Sequence, residues 1–352
     1  MRMRRAWRGL ALVLLLGALA AAPWAAGGAV QNLRDMLQKP APEWEGVLTV
    51  GVVPSFPTVN LDGWLAAQSR AFEKQEGYVI VSLRTMTRAG VRAGAAAQTL
   101  PDALVFGMGV FAEPVTLLTP LAEPDVRRAL QPAGREGETR YAVPLAMGGY
   151  GLLCNADRLE ALGWSEEADL AETMALAGGA GLSVACPKAP YTDPLAALRA
   201  MGAPESLSVR ADLPHEKIWA EFALDGDYAL YVATQREVRR MEVLQERGSG
   251  VRTAFLAPEG AVYADQVLLA GIVQPALTSA GERDAQSRRD CAEAFFDFLL
   301  GEEAQAGLVQ AQLFSVTGAG PLYEAGTPMG ALEASLAGDL ELAPGFASLA
   351  AK

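Results

Sequence analysis

The 352-residue chain is 51% hydrophobic and 20% charged, which supplies enough apolar material for a sizeable core and excludes an intrinsically disordered chain. Its formal net charge of −12 disfavours nucleic acid and anionic membrane surfaces as partners. An acidic surface keeps an exported protein soluble and by itself names no cationic ligand.

Arg2, Arg4, Arg5 and Arg8 precede an almost uncharged run from Gly9 to Val30, the pattern of an export signal over residues 1–28. Small residues offer cleavage after Ala20 or after Gly28. The competing reading is an uncleaved anchor, because a membrane helix needs only about 20 apolar residues. Pro23 and the surrounding Ala and Gly favour cleavage. Either way the chain is expected outside the cytoplasm, in a periplasm or on the outer face of the cell membrane.

After a polar lead-in, Val47 to Val53 reads as a buried strand that empties into the loop Pro54-Ser55-Phe56-Pro57. Leu61, Trp64, Leu65, Gln68, Ala71 and Phe72 then share a helical face, ended by Gly77, and Tyr78 to Leu83 is a second strand. Ala103 to Phe106 is a third, closed by Gly107-Met108-Gly109; Tyr141 to Pro144 leads into Ala146 to Tyr150, and Gly151 to Cys154 continues as a strand. The rhythm repeats with strands Leu182 to Ala185 and Tyr228 to Ala233 around a helix from Glu216 to Leu224. Near the end, Cys291, Phe295, Phe298 and Leu299 share a helical face, Gly301 interrupts, and Glu302 to Gln312 is a further helix. Alternation of this kind specifies an α/β fold with parallel strands and helices on both faces, in which ligands approach the carboxyl ends of the strands.

Catalytic machinery is hard to assemble from these residues. The single histidine, His215, sits in Leu213-Pro214-His215-Glu216 without a GxSxG elbow to serve and reads as an exposed loop residue. No Walker loop or dinucleotide fingerprint is present, and three scattered cysteines without a CxxC pair build neither a metal site nor a redox motif. No cofactor is therefore expected. Cys154, Cys186 and Cys291 are either three buried thiols or, after export, include a Cys154–Cys186 disulfide.

The ordered segments resemble the extracellular solute-binding proteins of ABC importers, the family that includes maltose-binding protein. The resemblance rests on Leu48-Thr49-Val50-Gly51, Pro101 to Val105, Tyr141-Ala142-Val143-Pro144 with Leu152 to Asn155, and Phe298-Leu299-Leu300 with Glu303-Ala304-Gln305. It implies a type II periplasmic binding protein: two doubly wound α/β lobes joined by a multi-strand hinge, with a small-molecule solute held between them. Lobe 1 is then 45–145 plus 268–313, and lobe 2 is 150–264 plus 318–352. Hinge crossings fall near 145–149, 267–270 and 314–318.

By the same resemblance the chain is a monomer that delivers a small polar solute, carbohydrate foremost, to an ABC transporter permease. The matching cleft loops carry Ser55, Phe56, Phe106, Met108, Gly109, Met147, Gly149, Tyr150, Thr234, Gln235, Arg236, Tyr263 and Asp265. Phe56, Tyr150 and Tyr263 would stack on a sugar, and Gln235, Arg236 and Asp265 would meet its polar groups. The chain departs from the sugar-binding pattern where Thr234-Gln235-Arg236 stands in place of a tryptophan. That speaks against a long oligosaccharide and leaves a smaller polar or anionic solute held by Arg236 as an alternative. Two other classes remain open: a ligand-responsive sensor or assembly protein, and an enzyme on the same scaffold with Asp265 as its carboxylate.

Overall fold

The structure, a computed structural model, describes residues 44–346; the signal or anchor over residues 1–28 lies outside the described residues. Among the described residues no helix is long and apolar enough to cross a membrane.

The first stretch of chain forms β1 (Gly46–Val53), α1 (Leu61–Glu76), β2 (Val79–Thr85), α2 (Arg88–Ala97), β3 (Ala103–Gly107), β4 (Arg135–Glu136), β5 (Thr139–Arg140) and β6 (Val143–Met147). The middle forms β7 (Tyr150–Asn155), α3 (Ala156–Glu160), α4 (Leu170–Gly179), β8 (Ser183–Ala185), α5 (Pro194–Ala200), β9 (Ser208–Arg210), α6 (His215–Ala223), β10 (Leu230–Thr234), α7 (Gln235–Glu246), β11 (Thr253–Leu256) and β12 (Val262–Ala264). The chain ends with β13 (Val267–Ile272), α8 (Ala285–Leu300), α9 (Glu302–Ala306), α10 (Pro328–Leu336) and β14 (Leu340–Leu342).

Two five-stranded sheets organise these elements, in the orders β2-β1-β3-β13-β6 and β11-β7-β10-β8-β9. Both are mixed rather than wholly parallel. In the first sheet β1 runs parallel to β2 and β3, whereas β13 is antiparallel to β3 and β6. In the second, β10 is parallel to β8, but β7 is antiparallel to β10 and β11. The α/β rhythm accounts for the parallel pairs; β13 enters the first sheet on a return from the second and therefore runs the other way.

The second sheet is apolar on both faces because both are covered. Tyr150, Leu152 and Cys154 of β7, with Leu230 and Val232 of β10, join one buried cluster, and Leu153, Tyr231 and Ala233 between them join another. This is the two-residue period of a strand, visible only in which neighbours each residue meets. In the first sheet Asp102 ties β3 to β1, accepting from the Thr49 N–H at 2.9 Å and from the Thr49 hydroxyl at 2.6 Å.

Helix ends follow local chemistry. Gly77 adopts the left-handed conformation (φ 79°) that stops α1. The stretch Glu302 to Gln312, expected as one helix, is α-helical only to Ala306 and continues as a 3-10 turn over Gly307–Ala311. Tyr141 and Ala142 precede β6 rather than belonging to it, and their N–H groups both donate to the Gly134 carbonyl. His215 opens α6 instead of lying in an exposed loop. The three cysteines are free thiols: Cys154 and Cys186 are buried and Cys291 is half-buried.

Candidate ligand site between the two sheets

The chain passes from the first sheet to the second at Gly148–Gly149, between β6 and β7, and returns at Asp265–Gln266, between β12 and β13. The two passages touch, with the Gly148 N–H donating to the Gln266 carbonyl at 2.7 Å. A third passage lies alongside, where Phe314 and Met147 exchange backbone hydrogen bonds at 2.8 and 3.1 Å. Gln305 locks it: its side-chain N–H groups donate to the carbonyls of Leu145 and Leu299, and its oxygen accepts from the Ser315 hydroxyl and the Val316 N–H.

Around these passages the structure gathers most of the expected site residues, and most of them are buried. Phe106 and Met147 are fully enclosed. Phe106 packs on Phe111 with ring centroids 4.9 Å apart. Ser55 and Phe56 lie over Gly107, where a Cβ would come within 2.1 Å of the Ser55 hydroxyl. The Gly109 N–H, at a left-handed turn (φ 74°), donates to the Gly345 carbonyl at 3.0 Å. The segment Leu340–Phe346 thus reaches from β12, which β14 pairs in parallel, to the loop after β3.

Gln235 joins the two sheets. Its Oε1 accepts from the Gly149 N–H at 3.2 Å, and its Nε2 donates to the Pro57 carbonyl at 3.0 Å, in the loop after β1. Asp265 holds a second polar knot: it accepts from the Tyr150 hydroxyl at 2.9 Å and from the Asp193 N–H at 2.5 Å. Burial pushes the Asp265 carboxyl up to about 6, against the pull of those two donors. Burial, and then the Asp265 charge, raise Tyr150 well above the usual phenol range. Half-buried Tyr263 is raised for the same two reasons. Thr234 caps α7, with Glu237 closing the capping box.

Open space lies beside the Gln235–Pro57 bridge, whose sequence neighbours Thr58 and Arg236 line it. A groove of about 650 Å³ runs between Thr58 and Val59, in the loop after β1, and the facing surfaces of α6 and α7. It sits beyond the carboxyl ends of β1 and β10, where α/β folds place ligands. Its α6 wall includes Trp219 and Glu216, and its α7 wall carries Arg236, Arg239 and Arg240. The Arg240 guanidinium lies over the Trp219 ring at 4.7 Å.

Of the residues expected at the site, Arg236 is the one that lines the groove; Tyr150, Gln235 and Asp265 build the buried passage behind it. Sequence reasoning missed Trp219, Arg239 and Arg240. A signal for the arginines was present: Arg236, Arg239 and Arg240 stand at the i, i+3, i+4 spacing that shares one helix face. Among the described residues no group of three His, Cys, Asp or Glu side chains is placed to hold a metal ion.

No protein-family model and no curated protein matches the chain. Solved structures do. The GacH receptor of Streptomyces glaucescens, studied unliganded and with acarbose, aligns over 87% of this chain and 89% of its own with a TM-score of 0.61 at 15% identity. The cyclic alpha-maltosyl-1,6-maltose binding protein from Arthrobacter globiformis aligns over 86% and 90%, with TM-score 0.61 and 15% identity. The galacto-N-biose-/lacto-N-biose I-binding protein of an ABC transporter from Bifidobacterium longum covers 86% and 88%, with TM-score 0.56 and 14% identity. These neighbours are binding proteins, and at such identities the likeness speaks for architecture. The chain therefore has the type II periplasmic binding protein fold.

Proposed function

We propose that this protein is an exported solute-binding protein that captures a small polar solute, a carbohydrate foremost, between two lobes and hands it to an ABC transporter permease. In this reading lobe 1 comprises 45–145 plus 268–313 and lobe 2 comprises 150–264 plus 318–352, with hinge crossings near 145–149, 267–270 and 314–318. The observation that carries the proposal is the groove between the Thr58–Val59 loop and helices α6 and α7, which places groups from both sides of the passages around one space. A solute touching both walls binds a closed form better than an open one, and only that difference shifts the population a transporter would read. The sugar-binding neighbours of the same fold support the choice of solute class.

The test is a thermal-shift screen of the purified chain against sugars, polyols, amino acids and oxyanions. A ligand present at 100 times its dissociation constant adds about 2.7 kcal/mol of stability, several degrees in melting temperature. A broad screen that shifts nothing on a demonstrably folded protein would remove the proposal in favour of a sensor or assembly role.

A further inference from the structure

Resting on the capture reading, we infer that the solute is an acidic sugar, a ring bearing a carboxylate or a phosphate, held by Arg236 and Arg240 with its apolar face toward Leu224, Val243 and Leu244. The chain carries 41 acidic residues against 29 lysines and arginines, so a chance surface groove would be expected to be negative. This groove has the opposite sign. Three guanidinium groups line it, and Glu216 is the one carboxylate among the lining residues.

Arg239 is satisfied within its own helix by Glu242 at 2.8 Å. Among the described residues Arg236 and Arg240 have no such partner: there both reach only Glu216, at 3.9 and 3.5 Å. That single, largely exposed carboxylate cannot neutralise two guanidinium groups. The Nη1 atom of Arg240 is buried and meets no hydrogen-bond acceptor among the described residues, so the Nη2 contact with Glu216 is the one polar contact of this guanidinium among them.

The geometry explains why an anion on a ring fits better than a bare anion. The Arg240 guanidinium lies over the buried Trp219 ring at 4.7 Å, which holds it at the groove wall with Nη2 3.5 Å from Glu216, and a guanidinium is suited to a carboxylate or phosphate. Ala220, Leu224, Val243 and Leu244 add an apolar floor along the same groove, which a free oxyanion would leave uncovered and a pyranose face would use. An acidic sugar would also displace Glu216 from the two arginines rather than compete with a strong internal ion pair.

The experiment is isothermal titration of the full chain with galacturonate, glucose-6-phosphate, inorganic phosphate, galactose and maltose, on wild type, Arg236→Gln and Arg240→Gln. The inference expects galacturonate, glucose-6-phosphate or both to bind, at least about tenfold tighter than galactose or maltose. Each arginine variant should weaken the acidic ligand about tenfold or more and weaken neutral sugars by less. Binding should fall as salt rises, and which acidic probe wins distinguishes a carboxylate from a phosphate. Near-UV circular dichroism of the variants checks that Trp219 keeps its packing, and the Arg236→Gln result stands alone if Arg240→Gln disturbs it.

Maltose or galactose binding as tightly as the acidic sugars, unaffected by Arg236→Gln, overturns the inference and leaves carbohydrate capture intact. Inorganic phosphate binding as tightly as glucose-6-phosphate overturns the role of the ring. No binding by any sugar, charged or neutral, to the folded chain overturns both the inference and the carbohydrate reading on which it rests.

Discussion

His215 Nε2 lies 3.0 Å from Glu237 Oε1, and this contact fastens the start of α6 to the start of α7, the two helices that wall one side of the groove. Glu237 is fully buried and also accepts from the Thr234 N–H at 3.1 Å and from its hydroxyl. Burial pushes its carboxyl upward, but the bonds from His215 and Thr234 win and hold it below the usual range. The bond to Glu237 raises His215 above its ordinary 6.5, opposed by partial burial and aided by Glu216, 3.3 Å from Nδ1.

With one histidine in the chain, proton NMR reads this pair without assignment. The imidazole should titrate with a midpoint above 6.5, and Glu237→Gln should bring it back toward that value. Because the folded value is the higher one, the stabilisation is present below the unfolded pKa and is lost as pH rises through the folded one. A midpoint at or below the ordinary value would remove the clamp.

Gln235 bridges Gly149 and Pro57, so its loss uncouples the passage from the loop after β1. Gln235→Ala leaves a buried N–H and a carbonyl without partners and should cost about 1–3 kcal/mol in urea denaturation. Gly148→Ala attacks the same place by crowding. A Cβ there would sit 2.6 Å from the Gln266 Oε1 and 2.8 Å from both polar atoms of the Gln235 amide, a strain of about 1–3 kcal/mol. The double variant should cost less than the sum, because both changes act on one side chain.

The parts of the fold set by local pattern could be read in advance: β1 with its loop, α1 ending at Gly77, and the buried strands β7 and β10. Those elements carry their own periodicity or stop signals. The direction of β13 could not be read, because a strand's neighbours are fixed by pairing across well over a hundred residues, as between Leu269 and Phe106. The site divided in the same way. Loops after strands pointed to Ser55, Phe56 and Gln235, but whether each side chain faces the groove or the passage depends on the twist between two sheets. Trp219 is a core residue, 4% exposed, and nothing in its own sequence marks it as also bordering a groove. Its place in the groove wall emerged only once α7 was laid beside α6.

Asp265 should make stability fall as pH rises. Its carboxyl is pushed up to about 6 from a model-peptide value of 3.8, so the folded state holds the proton more tightly than the unfolded chain. The contribution is fully present below about pH 4 and is lost as pH rises through about 6. Relative to wild type, Asp265→Asn should gain on the order of 3 kcal/mol between about pH 4 and 7, measured as the difference between two denaturation series. Parallel pH profiles for the two proteins would place Asp265 in a more hydrated setting.

The thiols give a direct chemical check on the second sheet. Burial pushes Cys154 and Cys186 up to about 12, which leaves almost no thiolate at neutral pH. Three thiols should react with Ellman's reagent once the chain is denatured without reductant, and in the native protein Cys154 and Cys186 should be silent for hours. A count of one in the denatured chain would mean that Cys154 and Cys186 are joined after export.

Phe346 is the last described residue and is 5% exposed. Its ring lies 6.3 Å from that of Phe106, and the neighbouring Gly345 carbonyl accepts from the Gly109 N–H in the loop after β3. The segment therefore straps β12 to the loop after β3, with Phe346 as its one buried apolar anchor beside the partly buried Leu340, Leu342 and Ala343. Phe346→Ala should lower stability by about 3 kcal/mol, at the low end for a buried phenylalanine. Hydrogen exchange should locate the loss at the N–H groups of Gly109 and Ala343, which donate to Gly345 and Ala264. Unchanged protection at both amides would mean that the backbone bonds hold the strap without the ring.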